Sequence, residues 1–322
     1  MNSAAVERDL LRFRLEVATG MTISILSAVC IVLLNKSLFD VHGFVYPVTL
    51  TGWHMCFTTL TLRAAVILGV FQHKRMPLRS IIGFSLLDSI TMGLQNLSLG
   101  NNSVSFYQMC KLLVAPVTVF LQRVFFGERL PSPAVMMALI VLLVGVGLAT
   151  VSDVQLKPLG ILFGLASTIL VCFVSIFTSS LQQQYDISPF QMLHNVAPFE
   201  GLILLLIGPI WDTSVVGKNP YLDHTWSVES LCTVFGTCVL AVLVNCATFF
   251  LLGKTSPVSY QVMGHLKTAL VLGGGFLFFD GDESSKAGTF GVLIAFAGCM
   301  LYGYLKDSEV RKSLQRTCEP EE

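Results

Sequence analysis

Charge is scarce in this sequence. Twenty Lys+Arg and twenty Asp+Glu are spread over 322 residues, or 12%, where a soluble domain carries about 25%. Forty charges are too few to cover a water-soluble surface of this size. That scarcity excludes a soluble enzyme as the default and also a disordered chain. A basic excess is missing too, because the formal net charge is zero, which argues against a nucleic-acid partner. The nine cysteines include no C-x-x-C. Almost all lie in apolar stretches, as small packing residues rather than ligands or bridges. Apolar blocks do not alternate with period two, so a membrane β-barrel is not expected. No long loop is present that could hold a soluble domain.

Long hydrophobic runs are what the sequence has. Its hydrophobic fraction is 53% and its mean hydropathy +0.72. Ten blocks follow one another: Val17–Phe39, Val45–Val70, Ile81–Leu99, Val104–Phe126, Val135–Val151, Leu159–Leu181, Pro189–Trp211, Leu231–Leu252, Val258–Phe279 and Thr289–Tyr304. A hydrocarbon core of about 30 Å needs about 20 residues at 1.5 Å each. The expectation is an all-α membrane protein with ten transmembrane helices, lodged in the lipid bilayer. Ten spans put both termini on one side. Thirteen Lys and Arg fall on that side and four on the other, so the positive-inside rule places both termini in the cytosol. Residues 1–16 contain Glu7, Asp9 and Glu16. They resemble neither a transit peptide nor a cleaved signal, and the first block reads as an anchor. Asn101-Asn102-Ser103 matches a glycosylation triplet, but in a tight loop at the membrane it is expected to be unused.

Blocks 4–5 resemble blocks 9–10 at a constant offset of 153. Tyr107-Gln108 matches Tyr260-Gln261, Phe125-Phe126 matches Phe278-Phe279, Gly145 matches Gly298 and Leu148 matches Leu301. The repeat unit is therefore five helices, residues 1–153 and then 154–322, the latter with a cytosolic tail. Five is odd, so equivalent helices cross in opposite directions. Two inverted five-helix repeats are the architecture of many secondary transporters, with substrate held near midplane between the halves.

Three basic residues fall inside the blocks: Arg63, Lys111 and Lys267. A charge at a helix centre costs about 2.5–3.5 kcal/mol on insertion scales and marks function. Lys111 and Lys267 lie on repeat-equivalent helices. Two ammonium groups facing one cavity suit a ligand with about two negative charges, a phosphate or diphosphate. Arg63 and Asp88 sit at similar depth on neighbouring blocks and are expected to form a structural ion pair. Tyr107 lies one turn before Lys111, and Tyr260 one turn before Gly264. Gly264 would admit a ligand or a helix close to the backbone. His194 and Asn195 could pair with a base edge or satisfy their own bundle. Asn245, Gln95 and Asn96 add neutral hydrogen-bonding groups. Gly273–Gly275 reads as a helix–helix contact, and Pro116 and Pro198 are expected to kink their helices. Asp88 and Glu200 are isolated acids, so no catalytic constellation, metal site or cofactor is expected, and an intramembrane enzyme is the remote alternative.

These residues carry a resemblance. NLSLGNNSVSFYQMCKLLVAP (Asn96–Pro116) and GKTSPVSYQVMGHLKTALVLGGG (Gly253–Gly275) resemble matching helices of the nucleotide-sugar / triose-phosphate translocator family, within the drug/metabolite transporter superfamily. Asn35-Lys36 at the end of block 1 also fits. Lys267-Thr268 is similar to the Lys-Thr pair of the UDP-sugar branch, and resembles plant-like UDP-rhamnose/UDP-galactose and UDP-xylose transporters. Phosphate antiporters of the same family have Lys-Arg there, and the Phe-Tyr-Asn-Asn motif of GDP-sugar carriers is missing around His194. The resemblance implies that Lys111 and Lys267 hold phosphate and that Tyr260, Gly264, Thr268 and Asn245 contact the nucleotide-sugar. It implies base recognition near His194 and Asn195, and a Golgi membrane, with the endoplasmic reticulum as the alternative. The implied activity is exchange of cytosolic UDP-sugar for lumenal UMP, against a rival sugar-phosphate/phosphate antiport. The residues do not choose among the sugars, and a homodimer is left open.

Overall fold

A computed structural model describes residues 3–101, 104–150, 158–219, 221, 224–278 and 284–318. Within them, the side chains of residues 3–7, 9–10, 99–101, 104–109, 149–150, 270–278, 284–289 and 310–318, with some single positions, lie outside the described residues. Among the described residues the chain is all-helical, with no strand. The helices are α1 Ser3–Asp40, α2 Pro47–Ile67, α3 Leu78–Asn101, α4 Val104–Phe125, α5 Pro133–Thr150, α6 Pro158–Gln184, α7 Pro189–Val216, α8 Val228–Lys254, α9 Pro257–Phe278 and α10 Ser284–Cys318.

Five of these helices open on proline: α2, α5, α6, α7 and α9. Proline fits the first helical position because its missing N–H would be unpaired there anyway. The capping box of α7 adds Ser188, whose Oγ accepts from Gln191 N at 3.2 Å while Gln191 Oε1 accepts from Ser188 N at 2.9 Å. α4 and α7 continue through Pro116 and Pro198 without a break in helix. The contacts of Gly273–Gly275 and the Asn102-Ser103 loop lie outside the described residues.

Four stretches are long and apolar enough to cross a membrane: Leu11–Asp40, Pro158–Gln184, Pro189–Ser214 and Val228–Lys254. Shorter apolar helices cover Pro133–Leu148 and Phe290–Lys306. Outside both sets stand α2, α3, α4 and α9, which carry Arg63, Asp88, Lys111 and Lys267. The protein is an all-helical membrane protein.

The main packing partners are α5 with α10, α2 with α7, α1 with α8 and α3 with α6. At the α5–α10 seam the backbones touch. A Cβ added at Gly298 would come within 2.5 Å of Leu142 N, and one at Gly145 would collide with Ala295 N. Gly145 and Gly298 are 153 apart, and so are Leu142 and Ala295. The contact is therefore reciprocal, and the order of the pairs makes the helices antiparallel. The α2–α7 seam has a related pattern: Gly208 meets Thr49 and Val48, Gly201 meets Cys56 and Met55, and Gly52 meets Leu205 at the middle. Adding 153 to Val48, Gly52 and Met55 gives Gly201, Leu205 and Gly208.

Candidate substrate site

A cavity of about 600 Å³ opens between the helices, with walls from α1, α2, α3, α4, α6, α8 and α9. That volume lies within the range of small-molecule sites, about 300–1,000 Å³. α9 supplies one wall through helical periodicity. Val258, Val262, Leu266 and Ala269 fall on one face and pack into the core between α4, α5 and α10. The other face presents Tyr260, Gln261, Gly264, His265, Lys267 and Thr268 to the cavity. A Cβ at Gly264 would meet nothing within 4 Å, so no neighbouring helix occupies that space.

Two cations and one acid line this cavity: Lys111 on α4, Lys267 on α9 and Asp88 on α3. Lys267 is partly buried. Its Nζ donates to Ser24 Oγ on α1 at 2.8 Å and lies 6.0 Å from the centroid of the Tyr260 ring. An ammonium has three protons, and Ser24 takes one. Among the described residues no ion pair joins Lys267 to Asp88 or Glu200. Lys111 stands close enough for its charge to act on Lys267 and His265. Like charges held together in a low-dielectric space favour an anion between them.

Neutral groups complete the wall. Tyr260 Oη donates to Thr248 Oγ1 at 3.3 Å, and Gln261 Nε2 donates to Ser175 Oγ at 2.9 Å. Asn245 Nδ2 approaches Thr58 Oγ1 at 3.3 Å, and Thr268 Oγ1 donates to Gly264 O at 3.2 Å. The structure thus brings Gln95, Lys111, Asn245, Tyr260, Gly264, Lys267 and Thr268 into one cavity. The Tyr107 side chain lies outside the described residues. Asn96 is not on the cavity wall, although it is only one residue from Gln95.

His194 and Asn195 also stand apart from the wall. His194 Nδ1 meets His73 Nδ1 at 3.1 Å. Asn195 Nδ2 donates to Lys74 O at 2.9 Å and Gln191 O at 2.7 Å. The His73 and Lys74 contacts tie the α2–α3 loop to the start of α7, and the ion pair of Lys74 with Asp186 ties it to the α6–α7 connection.

The expected Arg63–Asp88 ion pair is not formed. Arg63 is exposed, and its charge acts on His194 rather than on Asp88. Asp88 turns into the cavity. Depth in the sequence placed the two at one level, but helix rotation points them apart. Glu200 is 0% exposed, and among the described residues neither carboxyl oxygen has a hydrogen-bond partner.

Sequence reasoning missed Ser24 and His265. Ser24 is one small polar residue in an apolar helix, with no pattern to single it out. His265 is 5% exposed, lines the cavity, and its Nε2 has no partner among the described residues. Its place between Gly264 and Lys267 was the available signal.

Comparison with known proteins decides the family. The chain matches the Triose-phosphate Transporter family over residues 16–303. It belongs to that family. UDP-xylose transporter 2 of Arabidopsis thaliana is 38% identical over 309 residues, 96% of this chain and 87% of the relative. UDP-rhamnose/UDP-galactose transporter 1 of the same plant is 31% identical, over 91% of this chain and 84% of its own. A crystal structure superposes with a TM-score of 0.64, covering 91% of this chain and 98% of the other. At 14% identity that likeness speaks for the fold alone. Membership in a transporter family points to carriage across a membrane rather than to catalysis.

Proposed function

We propose that this membrane protein is a nucleotide-sugar antiporter that exchanges a cytosolic UDP-sugar for lumenal UMP by alternating access. The observation that carries the reading is the pairing of Lys111 and Lys267 across one cavity. The lysines bind the diphosphate, while Tyr260, Asn245, Gln95, Thr268 and the open face at Gly264 receive the rest of the ligand. The names of the relatives support UDP-sugars as the cargo.

Ten spans in two inverted halves suit this task, and the reciprocal seams support that architecture. Residues 153 apart exchange contacts across both α5–α10 and α2–α7, in antiparallel order. The α1–α8 pairing has its counterpart in α6–α3. Halves related in this way can rock about a central site and open it to either side in turn. Both termini then lie in the cytosol, in agreement with the charge bias, and the Golgi membrane is the compartment where such exchange is needed.

UMP carries about two negative charges near neutral pH, so either ligand can neutralise the same lysines. An empty carrier would close over two cations with one acid for company, at an electrostatic cost. That cost couples the two directions of transport. Proteoliposomes test it: uptake of UDP-sugars should rise sharply when UMP is preloaded. Equal uptake with and without internal UMP would sink the exchange reading. Inhibition by triose phosphate and not by UMP would transfer the site to sugar-phosphate exchange.

A further inference from the structure

A second concavity, of about 800 Å³, lies outside the bundle where α1 runs along α8. Its walls are Arg8, Arg12, Leu15, Glu16, Gly20 and Ile23 of α1, with Leu243, Cys246 and Phe250 of α8 and Phe190 of α7. α8 separates it from the substrate cavity, which takes Asn245, Thr248 and Phe249 from the same helix. The substrate proposal makes no use of it.

The charged side chains of this groove are confined to one end. Arg8, Arg12 and Glu16 occupy one end. Lys254 joins them there, with Nζ 2.8 Å from Glu16 Oε2. Arg12 reaches the same carboxylate through Nε at 3.2 Å. Two cations therefore share one acid, and Arg8 lines the same end one turn before Arg12. The other end is apolar and open, with Ile23 42% and Leu243 44% exposed, and Leu11 and Leu15 set apolar surface among the charges as well. From Arg8 to Ile23 the helix rises about 22 Å at 1.5 Å per residue. One leaflet is half of a bilayer about 40–45 Å thick, headgroups included. A cationic end, an apolar end and the length of one leaflet match one amphipathic ligand.

We infer that the α1–α8 groove binds an anionic phospholipid from the leaflet on the side of the N-terminus. The headgroup phosphate and its extra negative charge sit against Arg8 and Arg12. One acyl chain lies along Leu15, Gly20 and Ile23 toward Leu243 and Phe250. α1 packs extensively on α8 and only slightly on α9. At Gly20 the helix is so close to the Phe250 ring that an added Cβ would sit 3.0 Å from it. A lipid filling the remaining space would fasten α1 to the bundle. A juxtamembrane Lys or Arg attracts anionic lipid by about five-fold in affinity each.

The test is thermal unfolding of the purified full-length protein in detergent, with phosphatidylserine or phosphatidylcholine at equal mole fraction. Phosphatidylserine is expected to raise the apparent Tm well beyond phosphatidylcholine. Arg8→Gln with Arg12→Gln should erase the difference, with affinity down about 25-fold. Ile23→Trp should weaken both lipids by filling the acyl end. UMP-induced stabilisation serves as the control for intact folding in each variant. Retained phosphatidylserine in native mass spectra of the wild type, lost in the arginine variant, is the second expected result. Equal shifts from both lipids would overturn the proposal. So would an unchanged lipid preference in the double variant, an equal shift from inorganic phosphate acting through the same arginines, or a cross-linked dimer seated on the groove.

Discussion

Residues 153 apart meet at the α5–α10 seam and also line or flank the central cavity, yet the two regions treat that spacing differently. At the seam, offset partners do the same job: Gly145 lies on Ala295 as Gly298 lies on Leu142. In the cavity, offset partners do different jobs. Lys111 corresponds to Gly264, Val114 to Lys267 and Leu112 to His265. The halves therefore share a scaffold and divide the chemistry. A reciprocal seam lets one packing solution serve twice, as at a two-fold interface between subunits. The proposed ligand, with a sugar at one end and a nucleotide at the other, has no two-fold axis, so walls built to read it need none either.

The largest effect is expected from breaking the seam. Gly145→Leu or Gly298→Leu drives a side chain into facing backbone and should leave no folded protein, seen as loss of monodisperse material in detergent. The milder Gly145→Ala and Gly298→Ala should each cost about 1–3 kcal/mol, and by similar amounts, because the contact is reciprocal. Gly147→Ala is the control, since its Cβ would lie 3.9 Å from Leu112, an ordinary contact. Unequal losses at Gly145 and Gly298 would break the comparison.

The cavity should behave in the opposite way. Lys267→Ala is expected to lower UDP-sugar uptake about 100-fold with little change in thermal stability, since Ser24 loses a single hydrogen bond. Lys111→Ala should follow it. Gly264→Ala is smaller: its methyl enters open space, so the fold is kept while uptake falls about ten-fold through crowding of the ligand. Near-normal uptake by Lys267→Ala would remove the site from α9. A lowered Tm for Gly264→Ala would mean that a helix, rather than a ligand, uses that face.

This division explains what could be read from the sequence. Block positions follow from apolar length, which the bilayer imposes, and they agree with the helices to within a few residues in the interior. Helix ends were harder. α1 begins at Ser3 and α10 runs to Cys318, because charged residues stop a membrane block without stopping a helix. Pairs such as Arg12–Glu16 and Lys306–Glu309 continue it in water. Lys111 and Lys267 were legible because a charge inside an apolar block is rare. Ser24, His265 and the true surroundings of Arg63 were not, because depth along a helix says nothing about the direction in which a side chain points. The prolines that open five helices were readable and mark the helix starts better than hydropathy does.

The smallest effect should appear at neither seam nor cavity but at the aromatic rim between them and solvent, where the α1–α2 and α7–α8 connections meet. Phe44 stacks on Trp53 with centroids 5.3 Å apart, and His224 meets Trp226 edge-on at 4.6 Å and Phe44 at 5.1 Å. Burial holds the His224 ring below the ordinary histidine value, and the neighbouring His42 adds to this. The neutral ring is thus the form that packs. The unfolded chain takes up the proton first as pH falls, so the contribution of the rim is intact above about pH 6.5 and declines below it. Melting of the wild type in detergent should show a slight additional loss of Tm between about pH 7 and pH 5, and His224→Phe should flatten that segment of the curve. The Tm cost of Gly145→Ala should stay constant across the same range, since neither α5 nor α10 carries a histidine. A pH-dependent cost there would mean that rim and seam unfold as one unit, and the distinction between shared scaffold and local chemistry would have to be redrawn.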